Sequence, residues 1–152
     1  MLRKATLNDI AQTAEIFRQL HELHVKAKPD SFRTVPIGFF RDRLEWYVRE
    51  EDTEVLVSDE GGVNAFAAVR MYNVEAEEKF PRRLCYVDCF AVEENCRRQG
   101  VGTRLMEYVR EFAKDNNCNS VQLGVSAFNE NAKNFYQAAG FTPRNFIMEQ
   151  KL

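Results

Sequence analysis

Apolar and polar positions recur along this chain with two periods, and the switches between them mark out its elements. Met1–Thr6 is short and ends before Asn8 and Asp9, a good helix start. It reads as a strand followed by a helix to about His24, with Ile10, Ala14, Phe17 and Leu20 on its buried stripe. From His24 to Pro36 two prolines and the run Lys28-Pro29-Asp30-Ser31-Phe32-Arg33 interrupt the period, which predicts a loop. A second helix is predicted from about Ile37 to Glu50 on the stripe Phe40, Leu44, Tyr47 and Val48, with Trp46 on a neighbouring face. That aromatic load serves either a core or a pocket lining. Thr53–Ser58 and Val63–Tyr72 read as strands joined by Asp59-Glu60-Gly61-Gly62, a hairpin turn in composition, so the sheet is antiparallel here.

Glu75 to Arg83 is charged and carries Pro81, which predicts a solvated loop. Tyr86 to Val92 is then almost wholly apolar, as in a strand buried on both faces, and encloses one carboxylate, Asp88. A basic glycine turn, Arg97-Arg98-Gln99-Gly100-Val101-Gly102-Thr103, leads into a helix with Val101, Leu105, Val109, Phe112 and Ala113 on one face, ending at Asn116-Asn117. Val121, Leu123 and Val125 start another strand, and strand, helix, strand implies parallel pairing with the first. A last helix, Asn131 to Ala139, stops at Gly140, and Phe141 to Leu152 reads as one or two closing strands broken by Pro143.

Composition narrows the classes. At 152 residues, with 45% hydrophobic and 12% aromatic content, the chain fits a single domain, 1–152, that folds without staples. A formal charge of -2 excludes a broadly basic face for nucleic acid. Cys85, Cys89, Cys96 and Cys118 lack paired metal spacing and read as reduced core thiols, so no metal is expected. No signal peptide and no long apolar run is seen, which predicts a soluble, cytoplasmic protein without membrane contact.

The chemistry concentrates at the glycine turn. Two glycines let backbone amides converge, the helix start adds partial positive charge, and Arg97 and Arg98 add full charge: such a turn binds phosphate. It is not a P-loop, because no Gly-Lys-Ser/Thr follows, and not a dinucleotide fingerprint, because Leu105 stands where the third glycine belongs. The spacing Arg97-x-x-Gly100-x-Gly102 after a buried strand resembles the acetyl-CoA pyrophosphate loop of the GNAT N-acetyltransferase superfamily. Asn129-x-x-Ala132-x-x-Phe135-Tyr136 followed by Gly140-Phe141 resembles the same superfamily's second motif, in the expected order and separation.

The resemblance implies an α/β fold with a mixed, mostly antiparallel sheet of six to seven strands, one splayed parallel pair and about four helices. It also implies a cosubstrate, acetyl-CoA. The turn, Arg97, Arg98, Gln99, Gly100, Val101, Gly102 and Thr103, would hold the pyrophosphate, and unpaired backbone of Phe90, Ala91 and Val92 would bond the pantetheine arm as an added strand does. Asn129 would contact CoA or cap a helix, and Asn134 is a further contact candidate. Tyr136 stands where relatives keep a tyrosine that protonates the departing thiolate, a role suited to a phenol that is neutral at pH 7. Asp88 matches the place of a glutamate general base; one methylene shorter, it would reach the amine through water, or else be a structural carboxylate bonded to backbone, Arg82 or Arg83. His21 and His24 are the other base candidates.

The expected function is therefore transfer of an acetyl group from acetyl-CoA to a primary amine of a small molecule or peptide by direct attack. A non-catalytic acyl-CoA sensor or interaction module of the same fold is the alternative, and a homodimer is compatible with either. The loop preceding the second helix would form part of the acceptor wall, where Glu22, Asp30, Asp42 and Glu45 are either acceptor contacts or solvated charges.

Overall fold

The computed structural model describes Met1–Leu152 and is built on one five-stranded sheet in the order β1 (Leu2–Lys4), β2 (Thr53–Asp59), β3 (Val63–Val74), β4 (Arg82–Val92), β5 (Ser120–Leu123). The first four strands pair antiparallel and β4 pairs parallel with β5. Four α-helices cover the two faces: α1 (Ile10–Ala27), α2 (Ile37–Arg49), α3 (Val101–Asp115) and α4 (Glu130–Ala138). No helix is long and apolar enough to cross a membrane.

Each face has its own core. Ala14, Phe17, Phe40, Leu44 and Tyr47 from α1 and α2 meet Val55, Val57, Phe66 and Ala68 on one side of the sheet. Val101, Leu105, Val109 and Phe112 from α3 meet Leu56, Ala67, Val69 and Val87 on the other. The apolar stripes read from the sequence thus face the sheet. Arg3 fastens the first strand by donating to Asp9 at 2.8 Å and to Asp59 at 2.6 Å, which holds the Asp9 carboxyl far below the usual carboxylate range.

Three boundaries differ from expectation. β3 runs on past Tyr72 to Val74, and β4 starts at Arg82, inside the charged stretch predicted as loop, because each continues the other's ladder as far as Val74 opposite Arg82. α1 continues to Ala27, since Pro29 restricts Lys28 and not the residues before it. Most plainly, the predicted closing strands are absent: residues 142–152 form neither strand nor helix, leaving five strands instead of six or seven. A strand exists only against a partner, and this segment pairs with nothing in its own chain.

Candidate active site

The site is made by a fault in β4. Ala68 pairs with Cys89 and Val69 with Val87, so Asp88 is an extra residue, a β-bulge facing an uninterrupted β3. The inserted residue reverses the alternation of side chains. Cys85 and Val87 pack on the α3 face, but Cys89 and Ala91 pack on the α1–α2 face, while Phe90 and Val92 turn toward α3. The parallel ladder to β5 ends at the same place, with Val87 opposite Leu123. Beyond it the β5 side of residues 89–92 has no strand partner, and a cleft of about 760 Å³ opens there.

Phe90, Ala91 and Val92 form one wall of this cleft. The glycine turn closes one end with Arg97, Arg98, Gly100, Gly102 and Thr103. Gly100 is the N-cap of α3 at φ 77, a left-handed conformation that glycine adopts without the Cβ penalty. Arg98 takes the same region at φ 60. Arg97 is partly committed, its Nε donating to the Val92 carbonyl at 3.0 Å, which ties the turn to the strand end; no protein acceptor holds Arg98. Gly102 allows a close approach, since a Cβ there would lie 3.4 Å from both Phe135 and Val92. Amides at a helix start, two guanidiniums and an open groove form a receptacle for a multiply charged anion on an extended arm.

Val101 and Gln99 do not line the cleft: Val101 is core, and the Gln99 side chain donates to the Asn95 carbonyl at 3.0 Å. The opposite wall is α4 and the loop before it, with Phe128, Asn129, Asn131, Ala132, Phe135 and Tyr136. Asn129 both lines the cleft and caps α4, accepting from the Ala132 amide at 3.1 Å. Asn134 is exposed on the far side of α4 and lies outside the lining. Leu20, Leu23, Lys26 and Ala27 of α1 complete the enclosure. Leu20 lies on the stripe read from the sequence, whereas Lys26 and Ala27 fall in the turn of α1 beyond the predicted helix end; Leu23, one step on from Leu20 on the same face, was the available signal for a cleft-lining helix end.

At the inner end sits Tyr136, packed among Phe135 (ring centroids 5.3 Å apart), Phe141 (5.8 Å) and Phe90 (6.2 Å). Burial, with a smaller contribution from the Cys89 thiol, pushes its hydroxyl up to about 12. It is a protonated phenol at the wall of an apolar groove, and it has a proton to give at neutral pH.

Asp88 is elsewhere. Its carboxylate accepts from Arg70 Nε at 2.5 Å and Nη2 at 2.7 Å and from the Tyr47 hydroxyl at 2.6 Å, and it is not part of the cleft lining. The structural partner expected for it, Arg82 or Arg83, is corrected to Arg70: the bulge turns residue 88 toward β3 and α2, while Arg83 engages Asp52 and Asn116. Burial and the Asp88 charge push the Tyr47 hydroxyl well above the usual phenol range. The two histidines are also committed, His21 Nε2 to the Arg33 carbonyl at 2.8 Å and His24 Nδ1 to that of Leu20 at 3.0 Å, with His24 against the Phe32 and Phe128 rings. Of the acids near the acceptor wall, Glu22 pairs with Arg18, Asp30 with Lys151 and Glu45 with Arg49.

A family model for the acetyltransferase (GNAT) family matches residues 17–141. The chain is 24% identical over 140 residues to the uncharacterized N-acetyltransferase YhfO of Bacillus subtilis, covering 92% of this chain and 88% of that protein. A crystal structure of a tetramutant of BH1408 from Bacillus halodurans superposes with a TM-score of 0.95 at 28% identity, covering 100% of this chain and 99% of the other. The aminoglycoside N-acetyltransferase AAC(6')-Iy in complex with CoA shares the fold at a TM-score of 0.79 and 14% identity, over 100% of this chain and 93% of that one.

Proposed function

The chain belongs to the GNAT acetyltransferase family, and on that premise we propose that it transfers an acetyl group from acetyl-CoA to a primary amine of a small molecule or peptide. The observation that carries this reading is the coincidence, at one bulge, of a released sheet edge, an anion-binding glycine turn and a buried phenol. In this reading the pyrophosphate rests on the amides after Gly100 and on Arg98, and the pantetheine arm runs along Phe90 to Val92 as an added strand.

Attack of the amine nitrogen on the thioester carbon forms the C–N bond, and the C–S bond then breaks to release thiolate. Tyr136 donates its hydroxyl proton to that sulfur, and the high affinity of the buried phenol for its proton keeps it loaded at neutral pH. Asp88 is engaged by three donors and stands outside the cleft lining, so we assign it a positioning role: with Arg70 and Tyr47 it pins the bulge that ends the β5 ladder. The amine loses its proton to water, since neither histidine lines the cleft. Isothermal titration with acetyl-CoA tests the donor site, with saturable binding expected and absence of binding at millimolar ligand overturning it. Release of free CoA thiol in the presence of a panel of amines tests the transfer.

A further inference from the structure

On the α1–α2 face of the sheet the bulge opens onto a second, polar mouth. The Tyr47 hydroxyl of α2 donates to Asp88 at 2.6 Å, and Arg70 of β3 donates to the same carboxylate at 2.5 and 2.7 Å. The Arg70 guanidinium lies 5.8 Å from the centre of the ring of Tyr86, its register partner on β4. The Tyr86 hydroxyl reaches toward the next strand: a methyl on Gly124, the residue after β5, would come within 3.2 Å of it. The mouth therefore spans the point where β4 and β5 part.

Arg43 completes it. One helical turn before Tyr47, it shares that residue's face of α2. Burial and the Asp88 charge raise the pKa of the Tyr47 hydroxyl, and Arg43 opposes them; burial pushes the Cys89 thiol up to about 12, and Arg43 opposes that too, so its guanidinium lies within reach of both groups. The Cys89 thiol also acts on Tyr136, which puts Arg43 across the sheet from the proposed proton donor. Unlike Arg70, Arg43 has no carboxylate partner. Asp42 precedes it, but residues adjacent in sequence do not face each other on a helix, and Glu45 pairs with Arg49. Two guanidiniums around one carboxylate leave the mouth with one positive charge in excess, and the guanidinium fork matches carboxylate and phosphate oxygens.

We propose that the acceptor is an amine that also carries an anionic group, a carboxylate or a phosphate, and that Arg43, with Arg70 beside it, binds that group while the amine points through the mouth toward the thioester. The inference rests on the transfer reading above and narrows its substrate. An acceptor with several positive charges is disfavoured, because the one carboxylate in the mouth, Asp88, is already engaged and the excess charge there repels a polycation.

Release of CoA thiol at saturating acetyl-CoA should be compared across pairs of amines that differ only in the anion: O-phosphoethanolamine against ethanolamine and β-alanine against ethylamine, with spermidine as a polycation. The anionic member of each pair should have the higher kcat/KM. Arg43→Met should raise its KM by roughly 10–100-fold, the worth of hydrogen bonds to a charged group, with kcat little changed and the anion-free amines unaffected. Arg43→Lys should recover part of the loss, and both variants should fold, because Arg43 is exposed. Trp46, the single tryptophan and three residues on from Arg43 in α2, gives a readout without turnover. With CoA filling the glycine turn, inorganic phosphate should change its fluorescence saturably in the unsubstituted protein and not in Arg43→Met. Preference for spermidine or for the anion-free amines overturns the proposal, and so does a phosphate response absent from both proteins or equal in both. If no amine in the panel releases thiol, the transfer reading is what fails, and the phosphate titration still decides the anion site.

Discussion

The two halves of β4 are built from similar residues and do opposite things. From Leu84 to Val87 the strand pairs on both edges, with β3 and with β5, and its inward side chains Cys85 and Val87 are buried. From Cys89 to Val92 it pairs only with β3, and Phe90 and Val92 are half-exposed in the wall of the cleft. The residue between them is the bulge, Asp88. The first half spends its hydrogen-bonding groups on stability, and the second keeps one row of them available. The cleft opens because β4 stops pairing with β5 at Val87 while its own residues stay largely apolar as far as Val92, where the glycine turn takes over.

The comparison can be broken from either side. The largest expected effect is on chemistry: Tyr136→Phe should lower turnover by roughly 10²–10⁴-fold while leaving acetyl-CoA affinity unchanged in calorimetry, since it deletes only the hydroxyl proposed as proton donor and keeps the ring among Phe90, Phe135 and Phe141. Next, Gly100→Glu should weaken acetyl-CoA binding by roughly 10–100-fold, the worth of one or two lost hydrogen bonds to a charged group, because a side chain at φ 77 is strained and a carboxylate there repels phosphate. Melting temperature should change far less than affinity, because Gly100 is exposed and no core packing rests on it.

Asp88→Asn sharpens the comparison. It keeps the shape but leaves the Arg70 guanidinium without its counter-charge, and with Arg70 45% exposed the expected loss is about 1 kcal/mol of stability, read in urea unfolding. If Asp88 positions the bulge, turnover should fall by less than the Tyr136→Phe loss at all pH values. A deficit confined to neutral pH and recovered at alkaline pH would make it the base instead.

The smallest effect is a slope. Burial raises Cys85 and Cys89 from 9.0 to about 12 and Tyr136 from 10.0 to about 12, so the unfolded chain ionises first. The stability from burying these neutral groups is complete below pH 9 and is lost as pH rises from about 9 to 12. Thermal unfolding across that window should show the decline, shallower in Tyr136→Phe.

Much of the site was legible because its parts are local. The glycine turn announces itself by Gly100 and Gly102 ahead of an amphipathic helix, and the α4 motif by its fixed spacing. Two of the strand pairings, the antiparallel β2–β3 and the parallel β4–β5, followed from a hairpin and one strand, helix, strand unit, whereas the places of β1 and of the β3–β4 ladder did not. What was not legible depends on pairing between distant segments. That Asp88 is a bulge held by Arg70 and Tyr47 requires knowing which residue of β3 lies opposite Val87, and one-residue register shifts leave no trace in composition. The tail misled for the complementary reason: Phe146 to Met148 has strand chemistry, but a strand is a relation between two segments and only one of them is in reach.

Gly102 carries a consequence of another kind. Its missing methyl is the clearance between the first turn of α3 and two neighbours, Phe135 of α4 and Val92 at the end of β4. Three elements therefore share one gauge point, and the ring adjacent to Tyr136 in sequence rests on it. A lone methyl at position 102 would only touch these neighbours, but a longer side chain would act as a shim, tilting α4 away from the strand and carrying the phenol with it. The position of the Tyr136 ring in the cleft is in this sense measured out from a residue on another helix.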